Sequence, residues 1–193
     1  MTVEIKTPLA MARWRDVMHP EFRRRLYAAI ADKVENLVRR HILRIAPAHH
    51  MAANRLGAQP TGHLTKGARP THSTSGADFA EVIIPIPGIS RAFKNLSITP
   101  KNAAALTIPI ASQSYGQRAA RMRQLGWMLF RPKGKDVIMG TPPGGGDAVP
   151  LYLLKKRVEQ RQDRTLLPSD AEIGATAGAA ITAVIDRIAK GAA

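Results

Sequence analysis

Apolar residues recur at intervals of three and four through residues 20–46, at Phe22, Leu26, Ile30, Val34, Leu37, His41 and Ile45. That spacing lays one stripe along an α-helix. Pro20 suits the first helical position, Glu21 suits the positive end of the helix dipole, and Pro47 stops the run. A second helix is predicted over 168–190. Ser169 and Glu172 have the spacing of a capping box, Leu167 is placed to staple the entry, and Ile173, Ala177, Ile181, Val184 and Ile188 form a narrow apolar stripe. Gly174 and Gly178 each cost about 1 kcal/mol of helix propensity, so this helix requires a partner surface.

Residues 47–78 show no apolar period and are predicted to be a long extended loop, held in place by a neighbouring subunit. Residues 79–158 read as short strands broken by turns: 79–84, 96–99, 106–110, a hairpin of 127–131 and 136–139 around Pro132-Lys-Gly-Lys135, and a last strand from Pro150 to Val158. A short basic helix is predicted over 117–125, and Thr141-Pro-Pro-Gly-Gly-Gly-Asp147 is a loop. The order helix, loop, strands, helix predicts an α+β fold. The expected form is a single domain over 1–193: a small antiparallel or mixed sheet with the long N-terminal helix and the C-terminal helix packed on it, and long loops.

Composition makes that core thin. Of 193 residues 45% are apolar, but only 5% are aromatic and Gly and Pro number 15 and 14, so stability is expected to draw on association between subunits. With no cysteine there is no disulfide, thiolate metal site or thiol nucleophile. No run approaches the roughly 18 apolar residues of a spanning helix, and residues 1–16 lack the apolar core of a signal peptide. A chain made in the cytoplasm, with no membrane partner, is the expectation.

The candidate chemistry is sparse. His49, His50, His63 and His72 share one segment, but their spacing places no two imidazoles on one helix face and the nearest carboxylate is Asp78, so polar loop histidines are expected and no metal. Gly144-Gly-Gly146 follows two prolines and precedes Asp147-Ala-Val-Pro150, which is a turn and not a phosphate loop. Neither a G-x-S-x-G elbow nor a pair of neighbouring acids occurs, so no enzyme and no cofactor is predicted.

Charge is the strongest compositional signal. Lys and Arg number 29 against 14 Asp and Glu, a net +15. It divides as +5 over 1–46, +2 over 47–80, +6 over 81–149 and +2 over 150–193, which is spread along the chain. Without a base-reading motif or interleaved aromatics, contact with DNA is expected to be incidental. Arg outnumbers Lys, and planar guanidinium pairs two-fold with carboxylates and phosphates alike, so the choice of an acidic protein face rests on the missing base-reading motif and the spread of charge. Arg23, Arg24 and Arg25 on the first helix and Arg118, Arg121 and Arg123 on the short one are the expected partner contacts.

The segment ITPKNAAALTIPI at 98–110, with Pro100, Lys101, Leu106, Thr107, Ile108 and Pro109, is followed by SYGQRA at 114–119, with Tyr115, Gly116 and Arg118. These segments resemble the I-x-P-K-x-A-K-A-L-T-I-P and Y-G-x-R-A pattern of phage virion-morphogenesis proteins, the tail-completion family of Mu-like tailed phages and prophages. The likeness continues in order through WMLF at 127–130, VPLYLLKK at 149–156 and LLP at 166–168, and covers roughly residues 80–190. It departs at Ala104, where the family tends to have a second lysine, and at Phe93-Lys-Asn95, where a Gly-rich turn is commoner. The resemblance implies a structural virion protein at the head–tail junction: a tail-completion, tail-terminator or neck ring subunit, forming a homo-oligomer of six-fold symmetry. Its partners would be the tail tube protein and head-completion or neck proteins. The implied location is the virion, assembled in the host bacterial cytoplasm. A basic DNA-contacting or assembly accessory protein is the alternative.

Overall fold

In a computed structural model of the chain, the residues described are 2–4 and 19–190. The reading of 1–16 as lacking a signal core falls largely outside them, as does the side chain of His50. The architecture is α+β, as the sequence predicts, with a long N-terminal helix, small antiparallel sheets and a C-terminal helix. The chain divides into two compact units, each assembled from separated segments. The first comprises the residues up to Pro47, His63–Lys94 and those from Asp163 onward; the second comprises Ala48–Gly62 and Asn95–Gln162.

The first unit is built around helix α1, Pro20–Ile45. Its buried face is Leu26, Tyr27, Ile30, Ala31, Val34, Val38 and Ile42. The predicted stripe shares Leu26, Ile30 and Val34 with this face, but Leu37, His41 and Ile45 are only partly covered. The reason is two-sided packing. Strands β1 (Thr2–Glu4), β2 (His72–Ser75) and β3 (Ala80–Ile83) form an antiparallel sheet in the order β1-β3-β2. Val82 and Ile84 join the same buried cluster as Val34 and Val38, and Ala180, Ile181 and Val184 of the C-terminal helix pack against it. A helix buried from two directions needs a wider apolar arc than one stripe.

Residues 47–78 are not a long loop. A 3₁₀ turn at Ala48–His50, helix α2 at Met51–Arg55, helix α3 at His63–Ala68 and strand β2 occupy most of them. Leu64 and Ala68 are buried in the first unit's core, and His72 to Ser75 pair with Ile83 to Ala80, so part of this segment is packed within the chain itself.

The second unit contains the strands predicted for 96–158, resolved into two sheets. Strand β4 (Leu96–Ile98) pairs with β9 (Val158–Gln160), a strand the sequence reading had merged into the preceding one. Strands β5 (Leu106–Pro109), β6 (Met128–Phe130), β7 (Val137–Thr141) and β8 (Val149–Lys155) form a four-stranded antiparallel sheet in the order β5-β8-β7-β6. The predicted hairpin is β6–β7, closed by the Lys135 N–H on the Pro132 carbonyl at 3.2 Å with Gly134 at φ 72°. Helix α4, Ala119–Gln124, matches the short basic helix and contributes Met122 to the core of this unit. The Gly144–Gly146 loop is a turn in which Gly145 N–H reaches the Pro142 carbonyl at 3.2 Å. The C-terminal helix, α5, runs Asp170–Ala189 and closes the first unit.

The phase of α1 is checked by truncation. Ile42→Ala, at a fully buried position, is expected to lower unfolding free energy by about 2–5 kcal/mol in urea titration. Leu43→Ala, at a site 41% exposed, should cost less than about 1 kcal/mol; equal losses would show that the helix is rotated.

Candidate interaction surfaces

The two arginine trios expected to contact partners belong to different units. Arg23, mostly covered, forms an ion pair with Asp78 at 3.1 Å and belongs to the packing of α1, whereas Arg24 and Arg25 are exposed. Arg118, Arg121 and Arg123 are all exposed on or at the start of α4, where Arg121 donates to the Gln124 side-chain oxygen at 3.2 Å. The N-terminal trio therefore offers two outward charges, and the α4 trio offers three.

The motif residues turn out to be largely structural. Leu106, Thr107, Ile108 and Pro109 are strand β5, in register with Lys155 back to Tyr152. Beyond it the chain is pinned to β8 by two residues that the sequence reading did not single out. The hydroxyl of fully buried Ser114 donates to the Leu151 carbonyl at 2.7 Å, and Tyr152 Oη donates to the Gln117 carbonyl at 3.1 Å. Burial pushes the Tyr152 hydroxyl above its ordinary pKa, so it remains a donor at neutral pH. Between these anchors Tyr115 is half-buried and Gly116 adopts φ 73°, with room for no Cβ because Thr61 Cγ2 lies 2.7 Å from where one would sit. Lys101 and Pro100 lie in the connection between β4 and β5, with Lys101 exposed. The signal available in the sequence was the Ser-Tyr-Gly turn chemistry; the tertiary anchors were not visible in it.

The four-stranded sheet has one covered face. Leu129, Ile138 and Tyr152 point with Met122 into the unit's core. By register the opposite face carries Met128, Phe130, Met139, Val137, Leu153 and Ile108. None of these six is fully buried, and Met128 and Phe130 are 69% and 47% exposed. Two large apolar side chains are therefore exposed side by side on this face of the unit.

The first unit has a polar notch between α1 and the start of α5, a depression of about 310 Å³ lined by Leu37, Arg40, His41, Arg44 and Glu172. His41 Nε2 donates to the Thr165 carbonyl at 2.9 Å, which leaves Nδ1 to accept from Arg44 at 3.2 Å. Glu172 completes the capping box with Ser169, and its carboxyl is held below the ordinary glutamate range by the Ser169 backbone and side-chain hydrogen bonds, aided by the charge of Arg44. Every one of these groups has a structural partner within the unit. Elsewhere, His72 Nδ1 bonds the Pro70 carbonyl at 3.0 Å, and among the described residues no three His, Asp or Glu side chains gather as metal ligands. Among the described residues no helix is long and apolar enough to cross a membrane.

Compared with family models, curated proteins and solved structures, the chain matches none.

Two outcomes check these assignments. Gly116→Ala is expected to destabilise the protein by about 1–3 kcal/mol, from a positive φ and the Thr61 contact together; a neutral effect in thermal unfolding would show that the turn is not closed as described. For Ser169→Ala the expected loss at neutral pH is about 1 kcal/mol. Because Glu172 has a lowered folded pKa, its contribution is present above the unfolded carboxyl value and disappears as pH falls through the folded one. The variant should therefore lose less stability than the parent between neutral pH and pH 3, and a parallel pair of curves would contradict the coupling.

Proposed function

We propose that this chain is a structural virion protein of a tailed phage or prophage, acting at the head–tail junction as a tail-completion, tail-terminator or neck ring subunit. The observation that carries the reading is the collinear series of motifs from residue 98 to residue 168 that resembles the tail-completion family. Two physical features support it. The four-stranded sheet exposes an apolar face in an otherwise thinly packed unit, which suits a subunit whose remaining burial comes from neighbouring copies in a homo-oligomeric ring. The exposed Arg118, Arg121 and Arg123 present planar, bidentate donors to acidic faces of the tail tube or the head-completion and neck proteins. No catalytic step is assigned to the chain. The site of action would be the neck of the virion, assembled in the bacterial cytoplasm.

Genetics in a lysogen carrying this gene tests the reading. Arg118→Glu, Arg121→Glu and Arg123→Glu together are expected to yield separate full heads and tails by electron microscopy, with the variant protein still folded. Normal, infectious particles from a deletion strain, lacking the chain, would overturn the structural role.

A further inference from the structure

Twelve Lys and Arg against three Asp and Glu fall in the second unit, a net +9, although the charge is spread along the linear sequence. Topology then sorts these cations within the four-stranded sheet. The β6–β7 turn carries Arg131, Lys133 and Lys135, and because β7 runs antiparallel to β8, the end of β8 with Lys155, Lys156 and Arg157 lies at the same end of the sheet. The backbone bond from Leu154 N–H to the Asp136 carbonyl, 2.8 Å long, fixes that alignment, and one step further along it Lys135 stands opposite Lys155.

The two arginines of this end are already engaged. Arg131 bonds the Asp136 carboxylate at 2.9 Å and the Lys135 carbonyl at 2.8 Å, and Arg157 pairs with Glu159. That uses both carboxylates present here, since the unit's third acid, Asp147, lies in the loop between β7 and β8 at the opposite end. Lys133, Lys135, Lys155 and Lys156 are all exposed, and none forms an ion pair among the described residues. Neighbouring strands stand about 4.8 Å apart, so six cations against two carboxylates gather at one end of the sheet, a local net +4 that carries a cost in self-repulsion.

We infer that this lysine end of the sheet is a contact site for the phosphodiester backbone of duplex DNA. Lysine is a compact point charge that binds a phosphate oxygen from any direction, and the phosphates of a duplex, one charge per ~1.7 Å of helix axis, are the densest linear anion such a group of charges can meet. Phe130 is the one exposed aromatic on the adjoining strand, which is too little stacking surface to favour single strands. Contact would be independent of base sequence. This inference does not rest on the virion role, and it gives the DNA contact a defined place on the molecule.

The test is fluorescence anisotropy of the full chain with a labelled 30-base-pair duplex across a salt series. Replacing Lys133, Lys135, Lys155 and Lys156 with Gln is expected to weaken binding roughly tenfold or more near physiological salt and to reduce the slope of log K against log salt by about 3–4, at about 0.9 per lost contact. A control with Lys33, Lys66, Lys94 and Lys190 changed to Gln removes the same charge from the first unit and should leave most of the affinity and slope. Equal losses in both variants would overturn the inference in favour of bulk charge. So would failure of the parent to bind duplex, or a four-lysine variant that keeps its DNA binding while losing binding to polyglutamate, which would assign the row to acidic protein. Circular dichroism of both variants confirms that the exposed substitutions leave the fold intact.

Discussion

The first unit depends on one helix being buried from two directions. Val34, Val38 and Ile42 are almost completely excluded from water, and burial of aliphatic side chains of this size contributes about 1.5–3 kcal/mol each. The three-stranded sheet and α5 are each too weak to form alone. Strand β2 is polar, and α5 carries two glycines and few large apolar residues. Both acquire a reason to be ordered only because α1 presents an apolar arc wide enough to meet them together. The polar interactions around α1 refine this arrangement: Arg39 bonds Glu35 and the Thr71 carbonyl, and Ser73 donates to Glu35 at 2.8 Å, tying the helix to the start of β2. Arg91 and Asp163 form a further pair at 3.1 Å that joins the segment after β3 to the return of the chain.

The second unit solves the same shortage differently. Met122, Leu151 and Tyr152 are its fully buried cluster, and the sheet closes down on them where Gly140 leaves space for the Leu151 and Leu129 side chains. A register irregularity at Ile138 and Met139 permits both Leu151 and Tyr152 to be buried although they are adjacent in β8. With so few large side chains, one face of the sheet is filled and the other remains open. The open face follows from composition: 5% aromatic residues do not supply the volume for a second layer.

Much of the fold was legible because strong local signals agreed with tertiary need. Pro20 and Pro47 bracket α1, Ser169 and Glu172 cap α5, and Pro132-Lys-Gly-Lys135 turns the hairpin between β6 and β7. The failures have equally local causes. His72-Ser-Thr-Ser75 has no apolar alternation to betray a strand; it is one because its backbone pairs with β3. Helix α3 has only Leu64 and Ala68 to anchor it, below the length at which a period is readable. In α1 two parallel apolar rows compete, and large residues such as Leu37 and Ile45 outweigh Ala31 and Ala46 in a sequence reading although the alanines are the buried ones. Among the site residues, exposure of Arg118, Arg121 and Arg123 followed from their short helix, while the inward turn of Arg23 toward Asp78 required a partner 55 positions away.

Charge shows the same distinction between order in sequence and order in space. Counted in consecutive segments the cations look dispersed, because the most basic unit is made of two stretches, Ala48–Gly62 and Asn95–Gln162, separated and flanked by pieces of the other. Once the strands are paired, the unpaired lysines gather at one end of the sheet, beside Arg131 and Arg157, which are engaged with Asp136 and Glu159. Arginines collect on α4, which feeds the start of β6, whereas lysines collect where β6 turns into β7 and β8 ends. A guanidinium holds one planar anion in a fixed orientation, and an ammonium tolerates any oxygen that approaches it. The two basic clusters of one small sheet therefore differ in composition, and that difference follows from antiparallel pairing acting on a sequence in which neither cluster stands out.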